Sequence, residues 1–206
     1  MRQTLTRRDL LRLGAAGLAG TIFLGEPVQA AATGHLAASS LVTEIHAAAR
    51  AYGVPVALLL AMGYVNTRLE MPASEVSAYR EDDPEGHGIH GLMALVRNPA
   101  ANTVGLAARI TGLSPGELIS DRSANIRGGA ALLAHSQGTG RPRLARNWLG
   151  AVAGTGGEGP VIHATAGVGG GDLYAEQVAD VLARGFSTRT RSGERVSLAA
   201  QEVGSR

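Results

Sequence analysis

The stretch Gly53-Val54-Pro55-Val56-Ala57-Leu58-Leu59-Leu60-Ala61-Met62-Gly63-Tyr64-Val65 decides the fold of this chain. Gly53 is suited to end one helix, because glycine adopts the left-handed conformation of a C-terminal cap without strain. Pro55 is suited to open the next helix, since its missing N–H has no helical partner at that position. The residues that follow are apolar on nearly every side, which is typical of a buried helix. We therefore expect a central buried helix from Pro55 through Val65.

Helical periodicity continues on both sides of this segment. Ser40 is placed to cap a helix that runs to about Tyr52, and Ser114-Pro115-Gly116-Glu117 has the serine, proline and glutamate of a capping box. Further helices are predicted over Asn102–Ile110, from Asp121 or Ser123 onward, over Arg143–Val152 and from a cap at Asp172 through Arg184. The pattern predicts an all-α domain over residues 40–186 with about six or seven helices.

Loops and a polar tail complete this organisation. Met71–His90 is a polar segment, and Gly154–Gly171 is rich in glycine. Residues 187–206 are predicted to form a solvated C-terminal tail with one short strand at Arg195–Ala199.

The N-terminus has the pattern of a twin-arginine export signal. Arg7 and Arg8 precede a leucine pair, and the apolar stretch Leu13–Gly25 follows. A helix of that length would span about 20 Å, short of the roughly 30 Å hydrocarbon core of a bilayer. We expect residues 1–30 to be a signal peptide cleaved after Ala30, residues 31–39 to be a flexible linker, and the mature protein to be secreted to the cell wall.

Composition narrows the possible partners. Without residues 1–30 the chain keeps 15 basic and 15 acidic residues, so its net charge gives no reason to expect nucleic acid or an anionic membrane as a partner. Cysteine is absent, which excludes disulfides and thiolate metal sites. Aromatic residues are scarce, so a glycan site built on stacked rings would have few members.

Several motifs in this order resemble the lysozyme-like domain of soluble lytic transglycosylases. They are Gly53-Val54-Pro55 with Leu58–Met62, Gly91-Leu92-Met93, Leu113-Ser114 with Asn125-Ile126-Arg127-Gly128-Gly129, and Trp148-Leu149-Gly150-Ala151-Val152-Ala153. The resemblance covers about residues 40–185. It is greatest to the copy that precedes the amidase domain in actinobacterial N-acetylmuramoyl-L-alanine amidases. It implies a lysozyme-like fold and peptidoglycan glycan strands as the partner, with no cofactor.

In that family a glutamate followed by serine, at the end of the buried helix, donates a proton to the glycosidic oxygen. Here the matching positions hold Asn66 and Thr67. An amide carries no titrating carboxyl and cannot act as a general acid at ordinary pH. Loss of that step alone slows a reaction by about 10²- to 10⁴-fold.

Other cleft positions depart from the family pattern as well. The glutamine expected after Gly91-Leu92-Met93 is Ala94, and an expected tyrosine falls at about Thr155. The resemblance implies that Thr67, Gly91, Leu92, Met93 and Thr155 line the substrate cleft, although Gly91-Leu92-Met93 could equally be only a buried turn. The Asn125-Ile126-x-x-Gly129 pattern is predicted to be mainly a packing motif, with Ile126 in the core and Gly129 at a close helix contact.

Two alternatives concern other side chains. Glu70 lies four residues beyond Asn66 and is the candidate for a displaced catalytic acid, with Glu75 nearby. His87 and His90, near Asp82, Asp83 and Glu85, supply donors for a divalent ion. A His-x-x-His in a glycine-rich loop lacks helical i, i+4 presentation and a clear third ligand, so we expect a polar loop there and no metal site.

Two function classes therefore remain open. The first is an exported, catalytically inert wall-binding module, and the second is an active peptidoglycan hydrolase that uses a displaced carboxylate such as Glu70. A buried carboxylate near Asn66 would favour the second class. The sequence leaves the oligomeric state open.

Replacing both Arg7 and Arg8 by lysine should trap the precursor in the cytoplasm, because the twin-arginine pathway is selective for the guanidinium pair. Immunoblots of cytoplasmic and exported fractions would measure this. Arg2→Lys is the matched control and should be exported like the wild type. Unchanged export of the double variant would show that the route is wrong.

Overall fold

The computed structural model describes residues 40–82, 87–156 and 170–202. All of them belong to one compact unit, Ala38–Arg206. The predicted signal peptide and linker, residues 1–39, lie outside the described part of the chain, as do residues 157–169 of the glycine-rich stretch.

Helix α1 (Leu41–Tyr52) has the ends that its sequence predicts. The Ser40 hydroxyl accepts a hydrogen bond from the Thr43 N–H at 3.2 Å, so it satisfies one of the free donors of the first turn. Gly53 ends the helix with φ +66° and donates its N–H to the Ala49 carbonyl.

Helix α2 (Val56–Thr67) is the predicted central helix and ends two residues later than expected. Its residues from Leu58 to Gly63 are buried. The helix stops because Arg68 and Leu69 both adopt positive φ, at 57° and 68°. Arg68 donates its N–H to the Tyr64 carbonyl and Leu69 donates to Gly63, which satisfies the last carbonyls.

The described residues contain six more α-helices and one 3₁₀ helix. They are α3 (Ser74–Ser77), α4 (Thr103–Thr111), α5 (Pro115–Ser120), α6 (Arg122–Gln137), the 3₁₀ helix (Ala145–Trp148), α7 (Leu149–Gly156) and α8 (Gly170–Arg184). The mostly helical fold is thus confirmed.

The caps predicted for these helices are mostly correct. Both bonds of the Ser114–Glu117 capping box are present, and the Asp121 carboxylate accepts the Ala124 N–H at 2.7 Å. Asp172 is an exception, because α8 begins at Gly170 and Asp172 lies within its first turn.

The described residues also contain two small antiparallel hairpins. Strand β1 (Ile89–His90) pairs with β2 (Leu95–Val96), and β3 (Phe186–Arg189) pairs with β4 (Arg195–Leu198). The predicted strand at Arg195–Ala199 is therefore present, but its partner strand and the first hairpin were not expected. The predicted polar loop Met71–His90 contains α3 and ends in β1.

Residues 187–202 are part of the domain, so the prediction of a solvated tail is wrong for this described part of residues 187–206. Val196 and Leu198 are buried in the hydrophobic core. The Phe186 ring stacks on Tyr64 of α2 with 4.2 Å between ring centroids, and the Arg68 guanidinium lies 4.5 Å from the same Tyr64 centroid. Apolar burial on alternate residues fixes the hairpin against α2.

Arg122, at the start of α6, joins three elements. Its guanidinium bonds Glu44 of α1 at 2.7 Å and Glu194, beside β4, at 2.9 Å. The other oxygen of Glu194 accepts the Leu41 N–H at 2.6 Å, at the start of α1. Burial alone would raise the pKa of Glu194, but the Leu41 N–H and the Arg122 guanidinium outweigh it, and the pKa is lowered.

Trp148 is the largest fully buried side chain, and its indole N–H donates to the Pro142 carbonyl at 2.8 Å. The core that surrounds it draws on every helix longer than eight residues. None of the helices in the described ranges is long and apolar enough to cross a bilayer.

Arg122→Leu should lower the free energy of unfolding by about 2 kcal/mol, because it leaves Glu44 and Glu194 without their cation in a partly buried setting. Urea unfolding at neutral pH followed by circular dichroism would measure the loss. Arg184→Leu is the matched control, since its ion pair with Asp180 is exposed and contributes at most about 0.5 kcal/mol. Equal losses in the two variants would contradict a special role for Arg122.

Candidate functional site

Asn66 lies in the last turn of α2 and is partly buried. Its side-chain Nδ2 donates a hydrogen bond of 3.4 Å to the Leu92 carbonyl oxygen. The structure therefore brings together the position where the family resemblance implies a catalytic acid and the Gly91-Leu92-Met93 segment.

Gly91-Leu92-Met93 forms a buried turn between β1 and β2. The Ala94 N–H donates to the Gly91 carbonyl at 3.1 Å, and Ala94 itself has φ +52°. Leu92 is fully buried and Met93 is 5% exposed, so their side chains belong to the core. The part of this turn that faces Asn66 is the Leu92 carbonyl.

Asn125 of α6 holds this turn in place. Its Oδ1 accepts the Met93 N–H at 2.8 Å, and its Nδ2 donates to the carbonyls of His90 at 3.1 Å and Leu118 at 2.8 Å. The side chain is fully buried and each of its polar atoms has a partner. Sequence reasoning read Asn125 only as part of a packing motif and missed this role.

Two glycines make room for that contact. A Cβ built on Gly91, whose φ is +71°, would lie 2.3 Å from Asn125 Nδ2. A Cβ on Gly129 would lie 2.6 Å from the Cβ of Met93. Ile126 is fully buried. The packing prediction for Asn125-Ile126-x-x-Gly129 is confirmed by these contacts.

Tyr174 of α8 is the other polar neighbour of Asn66. Burial raises the pKa of the Tyr174 hydroxyl well above its ordinary value, and the hydrogen-bonding amide of Asn66 opposes that rise in part. The hydroxyl stays protonated at any ordinary pH. Sequence reasoning did not select Tyr174, although it precedes the buried Val178 by four residues on the apolar face of α8.

The two threonines expected in the cleft use their hydroxyls locally. Thr67 donates to the Glu70 carbonyl at 2.7 Å, which fixes the turn after α2. Thr155 donates to the Val152 carbonyl at 2.9 Å within α7. Both side chains are partly buried.

Glu70 is directed to the C-terminal hairpin. Because α2 ends at Thr67, Glu70 does not lie one helical turn beyond Asn66. Its Oε1 accepts the Arg191 backbone N–H at 2.8 Å, in the turn between β3 and β4. The carboxylate therefore has a structural partner. Glu75, the other candidate, is exposed on α3 and accepts from Ser74.

The two histidines of the expected polar loop have separate environments. His90 is buried in β1, with Nδ1 lacking a hydrogen-bond partner, whereas His87 is exposed. Burial lowers the pKa of His90, and the positive charge of Arg97 lowers it further. Within the described ranges, no three histidine or carboxylate side chains are grouped as metal ligands would be. Asp83 and Glu85 lie outside those ranges.

Comparison of the chain with protein-family models, curated proteins and solved structures gave no match. The chemical properties of the site are therefore inferred from its own side chains and backbone groups alone. The buried polar side chains of the described residues are His90, Asn125 and Thr190, and none is a carboxylate. Around Asn66 the groups that face one another are an amide, a tyrosine hydroxyl and a backbone carbonyl. Such a set can donate and accept hydrogen bonds, but it holds no acid of useful strength.

Asn125→Ala should lower the free energy of unfolding by about 3 kcal/mol or more, because it leaves a buried N–H and two buried carbonyls unpaired and opens a cavity. Urea unfolding would measure the change. Asn147→Ala removes an exposed amide and should change the free energy by less than about 0.5 kcal/mol. A small effect of Asn125→Ala would show that the turn holds its shape without the amide.

Proposed function

We propose that this chain is an exported, lysozyme-like module that binds peptidoglycan glycan strands and does not cleave them. Its proposed route to the cell wall is the twin-arginine signal of residues 1–30. The proposal joins the sequence resemblance to one structural observation, the hydrogen bond from the Asn66 amide to the Leu92 carbonyl.

That bond supports the proposal because the residue at position 66 acts in it as an uncharged hydrogen-bond donor. In the family that the sequence resembles, the residue at the end of the buried helix supplies a proton to the leaving oxygen. Asn66 has no proton of that acidity, and one of the two N–H groups of its Nδ2 donates to the Leu92 carbonyl. The neighbouring Tyr174 hydroxyl is a still weaker acid than an ordinary tyrosine, since burial raises its pKa.

Five carboxylates of the described residues, Glu70 among them, are held by hydrogen-bond donors or by an arginine. A general acid needs a carboxyl group whose pKa is raised so that it keeps its proton near neutral pH. The pKa values of Glu75, Glu117 and Glu194 are all lowered by hydrogen-bond donors. Glu44 is bound to Arg122, and Glu70 accepts the Arg191 N–H.

Neutral hydrogen-bonding groups suit recognition of a glycan. Sugar hydroxyls and acetamido groups both donate and accept, so an amide and a hydroxyl can bind them without any charge. A binding site requires positioned polar groups but no proton transfer. The proposed module therefore binds the same class of substrate as the family that it resembles, but it does not cleave the glycosidic bond.

The full chain should bind insoluble peptidoglycan in a pelleting assay and release no soluble sugar fragments from it. Asn66→Ala should weaken binding several-fold, because it removes a polar group of the proposed site. Tyr174→Phe should weaken it as well, because it removes the buried hydroxyl that hydrogen-bonds the Asn66 amide. Tyr52→Phe, at the end of α1, is the matched control and should bind like the wild type. Chromatography of reducing sugars in the supernatant would measure cleavage.

Two results would contradict this function. Robust release of fragments that is abolished by Glu70→Gln and unaffected by Asn66→Ala would make Glu70 the acid of an active hydrolase. Absence of binding by a folded wild-type chain would remove peptidoglycan as the partner.

A further inference from the structure

The turn between β3 and β4 carries three exposed arginines. Arg189 and Arg195 are directly paired across the two strands, and both side chains are exposed. Arg191, in the turn itself, is exposed as well. We call these three residues the arginine tip. Its positive charge contrasts with the balanced charge of residues 31–206.

We expect the cross-strand pair Arg189 and Arg195 to lower the stability of the hairpin. Residues directly opposite each other in antiparallel strands have Cβ atoms about 5 Å apart, and like charges at that spacing repel. The next pair on the same face is Ser187 with Ser197, so the surface beside the arginines carries only small, polar side chains. A repulsive arrangement that packing does not require points to a ligand with the opposite charge.

The carboxylates near the tip are bound to other groups. Glu194 contacts Arg122 and the Leu41 N–H, and Glu70 accepts the backbone N–H of Arg191. The ion pairs of the described residues involve Arg122 and Arg184, and none involves the arginine tip. Its guanidinium groups can therefore bind an external anion.

The tip is also held in one shape. Thr190 is 5% exposed, and its hydroxyl accepts the Glu194 N–H at 3.0 Å. The Thr190 N–H donates to the Glu194 carbonyl at 2.9 Å, and Arg189 Nη1 donates to the Gly193 carbonyl at 3.0 Å. A rigid tip loses little conformational entropy when it binds a ligand.

We propose that the arginine tip binds a linear phosphate-ester polymer of the cell wall. Guanidinium groups match phosphate in charge and in the geometry of their donors, and closely spaced arginines suit a chain with repeated charges. The choice of a wall polymer rests on the proposed export to the cell wall.

The chemistry of the hairpin disfavours two other polyanions. Binding to a membrane surface gains from exposed apolar side chains, whereas Val196 and Leu198 are buried in the core. Single-stranded nucleic acid gains from exposed aromatic rings on which bases stack, whereas the Phe186 ring is stacked on Tyr64.

The test compares two charge-matched variants of the full chain, so that both share residues 1–39. The first is Arg189→Gln/Arg191→Gln/Arg195→Gln, and the control is Arg50→Gln/Arg109→Gln/Arg143→Gln, three exposed arginines in other parts of the domain. Soluble poly(glycerol phosphate) is the probe, and titration at several salt concentrations gives its affinity.

The tip variant should bind the probe at least tenfold more weakly than the control variant does. The plot of log affinity against log salt concentration should be less steep for the tip variant by about 2, at roughly 0.7 for each lost phosphate contact on a flexible single chain. Equal affinities for the two variants would overturn the proposal, as would tighter wild-type binding to single-stranded DNA or to phosphatidylglycerol vesicles. Arg195→Gln alone should not lower the melting temperature, since it relieves the cross-strand repulsion.

Two preparations of peptidoglycan separate this inference from the proposed function. On material stripped of phosphate polymers, the wild type and the tip variant should bind equally, through the glycan. On material that retains the polymers, the wild type should bind more tightly than the tip variant. If the wild type does not bind the stripped material, the proposed glycan binding is contradicted. If the wild type and the tip variant bind equally to the material that retains the polymers, the proposed role of the arginine tip is contradicted.

Discussion

The side-chain amide of Asn125 is the interaction on which the arrangement of the domain depends. It joins the N–H of Met93 and the carbonyls of His90 and Leu118, so the β1–β2 hairpin and α5 are both held to α6 by one buried group. Each partner would otherwise be a buried polar atom without a hydrogen bond, which costs about 1–3 kcal/mol. Gly91 must be glycine because of this amide, since a Cβ there would overlap Asn125. The turn between β1 and β2 is therefore fixed at its base.

The chemistry near Asn66 follows from this constraint. With the turn fixed, the Leu92 carbonyl is presented to the end of α2 and is an acceptor without charge. Asn66 has the donor that this acceptor requires, and the Tyr174 hydroxyl is a neutral neighbour. The result is a site in which the donors and acceptors are matched and no group titrates near neutral pH. That property supports recognition of an uncharged sugar chain over acid catalysis.

The sequence predicted the parts of the fold that depend on local signals. Ser40 and Ser114 cap the helices that they were predicted to cap, and of the two candidates Asp121 and Ser123 it is Asp121 that caps α6. A side-chain oxygen before an apolar run satisfies free N–H groups in almost any context. The run from Leu58 to Met62 is buried as its lack of a polar side predicted.

The parts that the sequence did not predict depend on contacts between distant residues. Strands β1 and β2 have two residues each, too few to show an alternating pattern, and their pairing is set by Asn125 more than 30 residues away. The β3–β4 hairpin looked like a polar tail because half of its residues face solvent. Its place in the domain depends on long-range contacts, namely the burial of Val196 and Leu198 in the core and the bond of Glu194 to Arg122, 72 residues away in the chain. Tyr174 was missed because only folding brings α8 beside Asn66.

If position 66 is the acid position that the resemblance implies, the same contacts predict that one substitution there would not give the site catalytic activity. A carboxyl group at position 66 would face the Leu92 carbonyl, which accepts but cannot donate, so the protonated form would be favoured as a general acid requires. Catalysis also requires groups that hold the sugar in a reactive geometry. The resemblance implies such groups at Ala94, which has only a methyl side chain, and at Thr155, whose hydroxyl is bound to Val152. In the proposed function, the positions without a catalytic group are thus Asn66, Ala94 and Thr155, whereas the Asn125 side chain has all of its hydrogen-bond partners.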